Sequence, residues 1–132
     1  MILGIDPGRE KCGLALTEET DVIIKKEVVE TSNLVEMVKE LLSTHQIDLI
    51  VIGDGTLSQD IINKFKKSYR KEVRIEEVDE TNSTLEAREL YWQKNPPQGW
   101  RRFIPTSFQT PPCPVDDYVA VILIERYLNK GK

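Results

Sequence analysis

The stretch Ile2-Leu3-Gly4-Ile5-Asp6-Pro7-Gly8-Arg9-Glu10 decides how this chain is read. Ile2 to Ile5 is a short apolar run, the pattern of a strand buried on both faces. Asp6 stands where that strand ends. Pro7 cannot donate to a ladder, and Gly8 permits the turn that must follow. Open α/β sheets hold ligands in the crevice beyond the carboxyl ends of their strands, so a carboxylate there faces a candidate site. Two further acidic groups lie at the boundaries of apolar elements: Glu80 in VDETNST (78–84) and Asp116 in PVDDYVA (114–120). Three carboxylates drawn from three distant segments are a donor set suited to a divalent cation that prefers hard oxygen ligands.

Outward from this strand, hydrophobic periodicity assigns the other elements. Residues 11–17, KCGLALT, alternate around Gly13 and predict a second strand; residues 22–29, VIIKKEVV, are β-branched and predict a third. EETD (18–21) makes the turn between them, and short links imply an antiparallel meander. The period then changes. Thr31 or Ser32 caps a helix with Leu34, Val35, Val38, Leu41 and Leu42 at helical spacing. Residues 48–53, DLIVIG, form a continuous apolar run and predict a central strand. Ser58 caps a second helix, with Ile61, Ile62 and Phe65 inward and the lysines outward. Val73, Ile75 and Val78 alternate as a fifth strand, and residues 83–92 predict a third helix with a Ser83–Glu86 capping box. A strongly apolar helix closes the chain from Val115 to Asn129, with Val119, Ile122, Leu123, Arg126 and Tyr127 at helical spacings. A meander followed by strand–helix units makes an α/β fold: a mixed five-stranded sheet, antiparallel then parallel, with helices on both faces.

Between the last two helices, residues 93–114 hold six of the seven prolines together with Gly99 and Trp100, and read as a long irregular segment. Such segments are uncommon in a compact domain and usually functional or mobile. Trp100 is placed to stack on a base or to pack the segment onto the domain.

The 132 residues, 39% hydrophobic and 30% charged, predict one globular domain over residues 1–132 with a substantial core. No apolar run approaches a membrane span, and Asp6 and Arg9 interrupt the N-terminal apolar stretch that a signal peptide would need. Cys12 and Cys113 lack metal-ligand spacing and read as free thiols in a reducing cytoplasm. A net charge of −4 argues against nucleic acid on average. The average hides Lys64, Lys66, Lys67, Arg70, Lys71 and Arg74, opposed only by Glu72, and the pair Arg101 and Arg102 after Trp100. Local patches matter more than net charge for phosphate binding, although the first cluster also fits a solvated helix face.

The element order, with an Asp ending the first strand, resembles the ribonuclease H-like fold. Within it the chain resembles the RuvC/YqgF (RuvX) family: Holliday junction resolvases and related nucleases linked to ribosomal RNA precursor processing. ILGIDPGREKCGLAL (2–16) is similar to that family's opening Asp-x-Gly motif and second strand, and LIVIGDG (49–55) to its fourth. VDETNSTLEA (78–87) is similar to its acidic segment, and VDDYVAVILIERYL (115–128) to its closing helix. The chain departs from the pattern at Lys11, where the family usually has Arg, and at Thr81 and Asn82, which replace Arg-Leu. It also has Gly53-Asp54-Gly55 after the fourth strand and a basic run reduced to Arg101 and Arg102.

The resemblance implies a metal-dependent endonuclease that hydrolyses phosphodiester bonds in branched DNA or ribosomal RNA precursor. Mg²⁺ or Mn²⁺ would serve, as two ions roughly 3.5–4 Å apart. Asp6, Glu80 and Asp116 would be the catalytic ligands. Asp54 is a fourth ligand or a replacement for Glu80, and Asp117 competes with Asp116, which fits the family helix better. Arg9, Lys11, Arg101 and Arg102 are the candidate nucleic-acid contacts. Junction cleavage needs two active sites and hence a homodimer. The alternative is a catalytically degenerate nucleic-acid- or protein-binding module on the same fold. GIDPG (4–8) also resembles the first phosphate motif of sugar kinases and actin-like ATPases, which close two such domains around a nucleotide.

Overall fold

Alternation along two central strands sets the layering of the molecule. In the computed structural model, which describes residues 1–18, 22–69, 73–109, 111–112 and 114–129, the chain runs β1 (Ile2–Asp6), β2 (Lys11–Thr17), β3 (Ile23–Glu30), α1 (Leu34–Thr44), β4 (Leu49–Gly53), α2 (Ser58–Ser68), β5 (Arg74–Val78), α3 (Ser83–Lys94) and α4 (Asp116–Asn129). Leu3 and Ile5 of β1 and Ile50 and Ile52 of β4 face α1 and α2, where they meet Leu34, Val38, Ile61 and Phe65. Ile2, Leu49 and Val51 point to the other side, against Ala87 and Tyr91 of α3 and the apolar run of α4. Both faces of the central strands are thus covered, as their unbroken apolar sequences require. Each Leu, Ile or Phe so buried contributes roughly 1.5–3 kcal/mol.

The sheet order is β3-β2-β1-β4-β5. β1 and β2 are antiparallel, with Asp6 opposite Gly13. β2 and β3 are antiparallel, whereas β4 lies parallel to both β1 and β5. This is the mixed sheet of the ribonuclease H-like fold. Its topology brings the ends of β1, β4 and β5 to the same edge, so Asp6, Asp54 and Glu80 emerge together. Every residue of α4 from Asp117 to Ile124 is buried, because this helix packs on β1 and β2 and is covered by α3. Among the described residues no helix is long and apolar enough to cross a membrane.

Local capping departs from the sequence reading. A 3-10 turn, Thr31–Asn33, precedes α1, so Asn33 occupies the N-cap and no side chain caps it. The Thr31 hydroxyl instead donates to the Gly8 carbonyl at 2.8 Å, and its N–H to the Glu10 carbonyl at 2.8 Å, pinning the turn after Asp6. Ser58 is buried and its hydroxyl donates to the Gly55 carbonyl at 2.9 Å; the N-cap is Leu57. Asn82, with φ +61°, caps α3, and no Ser83–Glu86 box forms. The Thr31 hydroxyl and the Glu86 carboxylate, which pairs with Arg126, are taken by partners distant in sequence. The proline-rich segment is also more ordered than expected, with 3-10 turns at Gly99–Phe103 and Thr106–Phe108. Cys12 is a buried free thiol. The turn residues 19–21, the basic-run members Arg70 and Lys71 with Glu72, and Cys113 lie outside the described residues.

Candidate active site

Asp6 closes β1, and its strand partner Gly13 is where α4 makes its nearest approach. A Cβ on Gly13 would stand 1.8 Å from the Asp116 carbonyl oxygen. Only a residue without a side chain lets the first turn of α4 sit there, and this contact carries the Asp116 side chain to the end of β1. Glu80 arrives from the opposite side. It follows β5 by two residues, and its carboxylate lies over Gly53 and Gly55 at the end of β4, in the space their side chains would take. Gly55 could not carry a Cβ without meeting Glu80 Oε1 at 2.1 Å.

The electrostatics reflect this convergence. Burial, then the Asp116 carboxylate, then that of Glu80 push the Asp6 carboxyl up from 3.8 to about 7. Burial, then Asp54 and Asp79, raise Glu80. Burial and Asp117 raise Asp116, while Lys11 pulls it down. Each shift has the sign expected of carboxylates gathered in a low-dielectric crevice. Among the described residues none of the three forms a salt bridge. Nor do three acidic, His or Cys side chains among those residues close into a tight metal-holding group.

The two competing acidic residues are engaged differently. Asp54 is exposed, and its Oδ1 accepts the Glu80 backbone N–H at 3.2 Å. It therefore holds the Glu80 backbone. Asp117 is buried. Its Oδ2 pairs with Lys26 Nζ at 3.1 Å, and its Oδ1 accepts the Tyr118 N–H at 3.0 Å. Lys26 also lies over the Tyr118 ring, 4.2 Å from its centroid. Asp117 thus ties α4 to β3, whereas Asp116 keeps its carboxylate at the sheet edge.

Of the candidate phosphate contacts, Lys11 opens β2 and its charge reaches Asp116. Arg9 is exposed on the turn after Asp6. Arg101 and Arg102 are exposed in the Gly99–Phe103 turn, their guanidinium groups 5.8 Å from the Trp100 ring and 5.0 Å from the Phe103 ring. A surface concavity of about 1010 Å³ lies between α2 and β5, and none of the three carboxylates lines it.

Sequence reasoning missed two residues. Lys26 sits in the consecutive polar run Lys25-Lys26-Glu27 of β3 and gives no local signal of its partner. Arg126 did leave a signal, a charged side chain on the apolar stripe of α4. Its guanidinium donates to the carbonyls of Asp79 at 2.6 Å and Thr81 at 2.8 Å, and pairs with Glu86 at 2.9 Å.

Comparison with known proteins adds three findings. The family described as RuvX, Holliday junction resolvase, matches residues 1–130. "Uncharacterized protein YdcI" of Bacillus subtilis (strain 168) is 33% identical over 82 residues, which are 53% of this chain and 11% of that protein, so the chain spans about a ninth of this relative. A crystal structure of a candidate sugar kinase from Cytophaga hutchinsonii ATCC 33406 aligns with a TM-score of 0.45 and 14% identity, covering 79% of this chain and 42% of the other.

Proposed function

The chain belongs to the RuvX family, and on that premise we propose that it is a divalent-metal-dependent endonuclease that hydrolyses phosphodiester bonds in branched nucleic acid. The observation that carries this reading is the Asp6 carboxyl. It is held near pH 7 by burial and by the Asp116 and Glu80 carboxylates, with no cation paired to it among the described residues. Such a set disfavours its own charge, and its donors are all hard oxygens, the chemistry that suits Mg²⁺ or Mn²⁺. Asp6, Asp116 and Glu80 would hold the ions, with Asp54 steadying Glu80 through its backbone N–H. When bound, a pair of such ions supplies an activated water and charge neutralisation at the leaving oxygen.

The chain's own groups do the rest. Lys11 and Arg9 flank the turn after Asp6 and would take the phosphate of the scissile strand. Arg101 and Arg102 would take a more distant one. Thr31 holds the turn that carries Arg9, and Arg126 holds the segment that carries Glu80. Cleavage of a four-way junction on both arms calls for two copies of the chain.

Mg²⁺ and Mn²⁺ titrations into wild type and Asp6→Asn test this reading, with thermal stability and cleavage of labelled four-way junction DNA and structured precursor RNA as readouts. Metal-dependent stabilisation and cutting in wild type, both absent in Asp6→Asn, are expected, and the substrate cut identifies the class. Binding without cleavage in both proteins would make the chain a non-catalytic module and overturn the proposal.

A further inference from the structure

Large aromatic side chains normally withdraw from water, yet Trp100, Phe103 and Phe108 are 69%, 77% and 82% exposed. All the exposed large aromatic residues among those described fall within this one stretch of the proline-rich segment. The rings are held on a built turn. Gln109 Nε2 donates to the carbonyls of Arg101 and Ile104, both at 2.9 Å, and Pro96, Pro97 and Pro105 restrict the backbone around it. Two of the rings have a cation beside them, Arg101 at Trp100 and Arg102 at Phe103.

Behind Trp100 lies a concavity of about 410 Å³ between the end of α3 and this segment, lined by Trp92, Pro96, Pro97, Gln98, Trp100 and Arg101. The indole N–H of Trp92 is buried without a hydrogen-bond partner among the described residues. The segment leads directly into α4: Phe108 is eight residues before Asp116, at most about 29 Å of extended chain.

We propose that the Trp100–Phe103 turn and the concavity behind it form a binding site for an unpaired nucleotide, the base stacking on Trp100 while Arg101 and Arg102 contact the flanking phosphates. Flat faces and an adjacent negative charge are what this combination of rings and cations complements, and stacking of this kind is sequence-tolerant. A duplex offers no free base face, so the site selects unpaired segments such as those at branch points. The inference deepens the nuclease reading and rests on it for the substrate class, but it does not depend on the carboxylates being active.

The test uses the full chain in chelator, where cleavage cannot intervene. Tryptophan fluorescence of wild type and of Trp100→Phe, whose difference reports Trp100, is followed while oligothymidylate or a blunt duplex of equal length is added. Quenching by the single strand and not by the duplex is expected. In anisotropy titrations Trp100→Ala should weaken single-strand binding roughly ten-fold or more, and Arg101→Gln with Arg102→Gln should weaken it and reduce its salt dependence. Equal single-strand affinity in Trp100→Ala and wild type would overturn the proposal. So would equal affinity for strand and duplex, no binding of any strand, or a shift from dimer to monomer in Trp100→Ala with strand binding intact. Loss of cutting in Mg²⁺ with stacking retained would strike the nuclease reading alone.

Discussion

Arg126 grips the chain on both sides of Glu80: its guanidinium donates to the carbonyls of Asp79 and Thr81, the residues immediately before and after it. Glu80 lies just past the end of an edge strand, in a turn where Asp79 Oδ1 accepts the Thr81 N–H at 3.0 Å and the Glu80 carbonyl accepts the Ser83 N–H at 3.0 Å. The buried helix α4, which also carries Asp116, therefore positions two of the three carboxylates. We predict that Arg126→Ala lowers the cleavage kcat by up to about a hundred-fold, the scale of a small misplacement of a reacting group. KM should change little. Stability should fall by only about 1–3 kcal/mol, the scale of one or two hydrogen bonds to a charged group. Arg126→Lys should recover part of kcat. A purely structural role would show as proportionate losses of stability and of KM with kcat spared.

Acid should stabilise the chain in the absence of divalent cations. The folded pKa of Asp6, about 7, lies above its ordinary 3.8, so the folded state binds more protons than the unfolded state between these values. Stability therefore declines as pH rises from about 4 to about 7, and the full penalty, at most about 4 kcal/mol, applies above that. In chelator, Asp6→Asn should raise Tm at pH 8, leave it unchanged near pH 4 and flatten the slope between. Parallel wild-type and mutant curves would contradict the coupling.

Neighbouring aspartates should behave in opposite ways. Asp117→Asn breaks the pair with Lys26 inside a largely buried junction of β3 and α4 and should cost about 1–3 kcal/mol in urea denaturation. Asp116→Asn removes a like charge from Asp6 and should leave stability equal or higher while abolishing metal-dependent cleavage. Equal loss of cleavage in both, at equal stability, would show that the two share the role.

Gly13→Ala should be among the most damaging small substitutions on the sheet. Its methyl group would collide with the Asp116 carbonyl oxygen, forcing the first turn of α4 off β2 at a cost on the overpacking scale of about 1–3 kcal/mol or more. Thermal melts of this variant, compared with Gly99→Ala, whose Cβ would meet nothing within 4 Å but whose φ is +65°, separate steric contact from backbone strain.

What the sequence by itself determined is everything with a short period. Unbroken apolar runs at residues 2–5 and 49–52 could only be central strands, and the change of spacing after Thr31 could only be a helix. Short links between the first three strands imply the antiparallel meander, and the strand–helix units that follow imply parallel strands, whereas the pairing of β1 with β4 is seen in the tertiary structure. Asp6, Glu80 and Asp116 were legible as candidates because each interrupts an apolar element at its end. Only the tertiary structure decided how charges were shared. Lys26 and Asp117 are 91 residues apart, and nothing local in either segment announces the pair. Asp54 Oδ1 accepts the Glu80 backbone N–H, and Thr31 and Glu86 gave up local caps for distant partners. Periodicity is a property of neighbours along the chain, whereas a hydrogen bond or an ion pair belongs to whichever groups the tertiary packing brings within hydrogen-bonding distance.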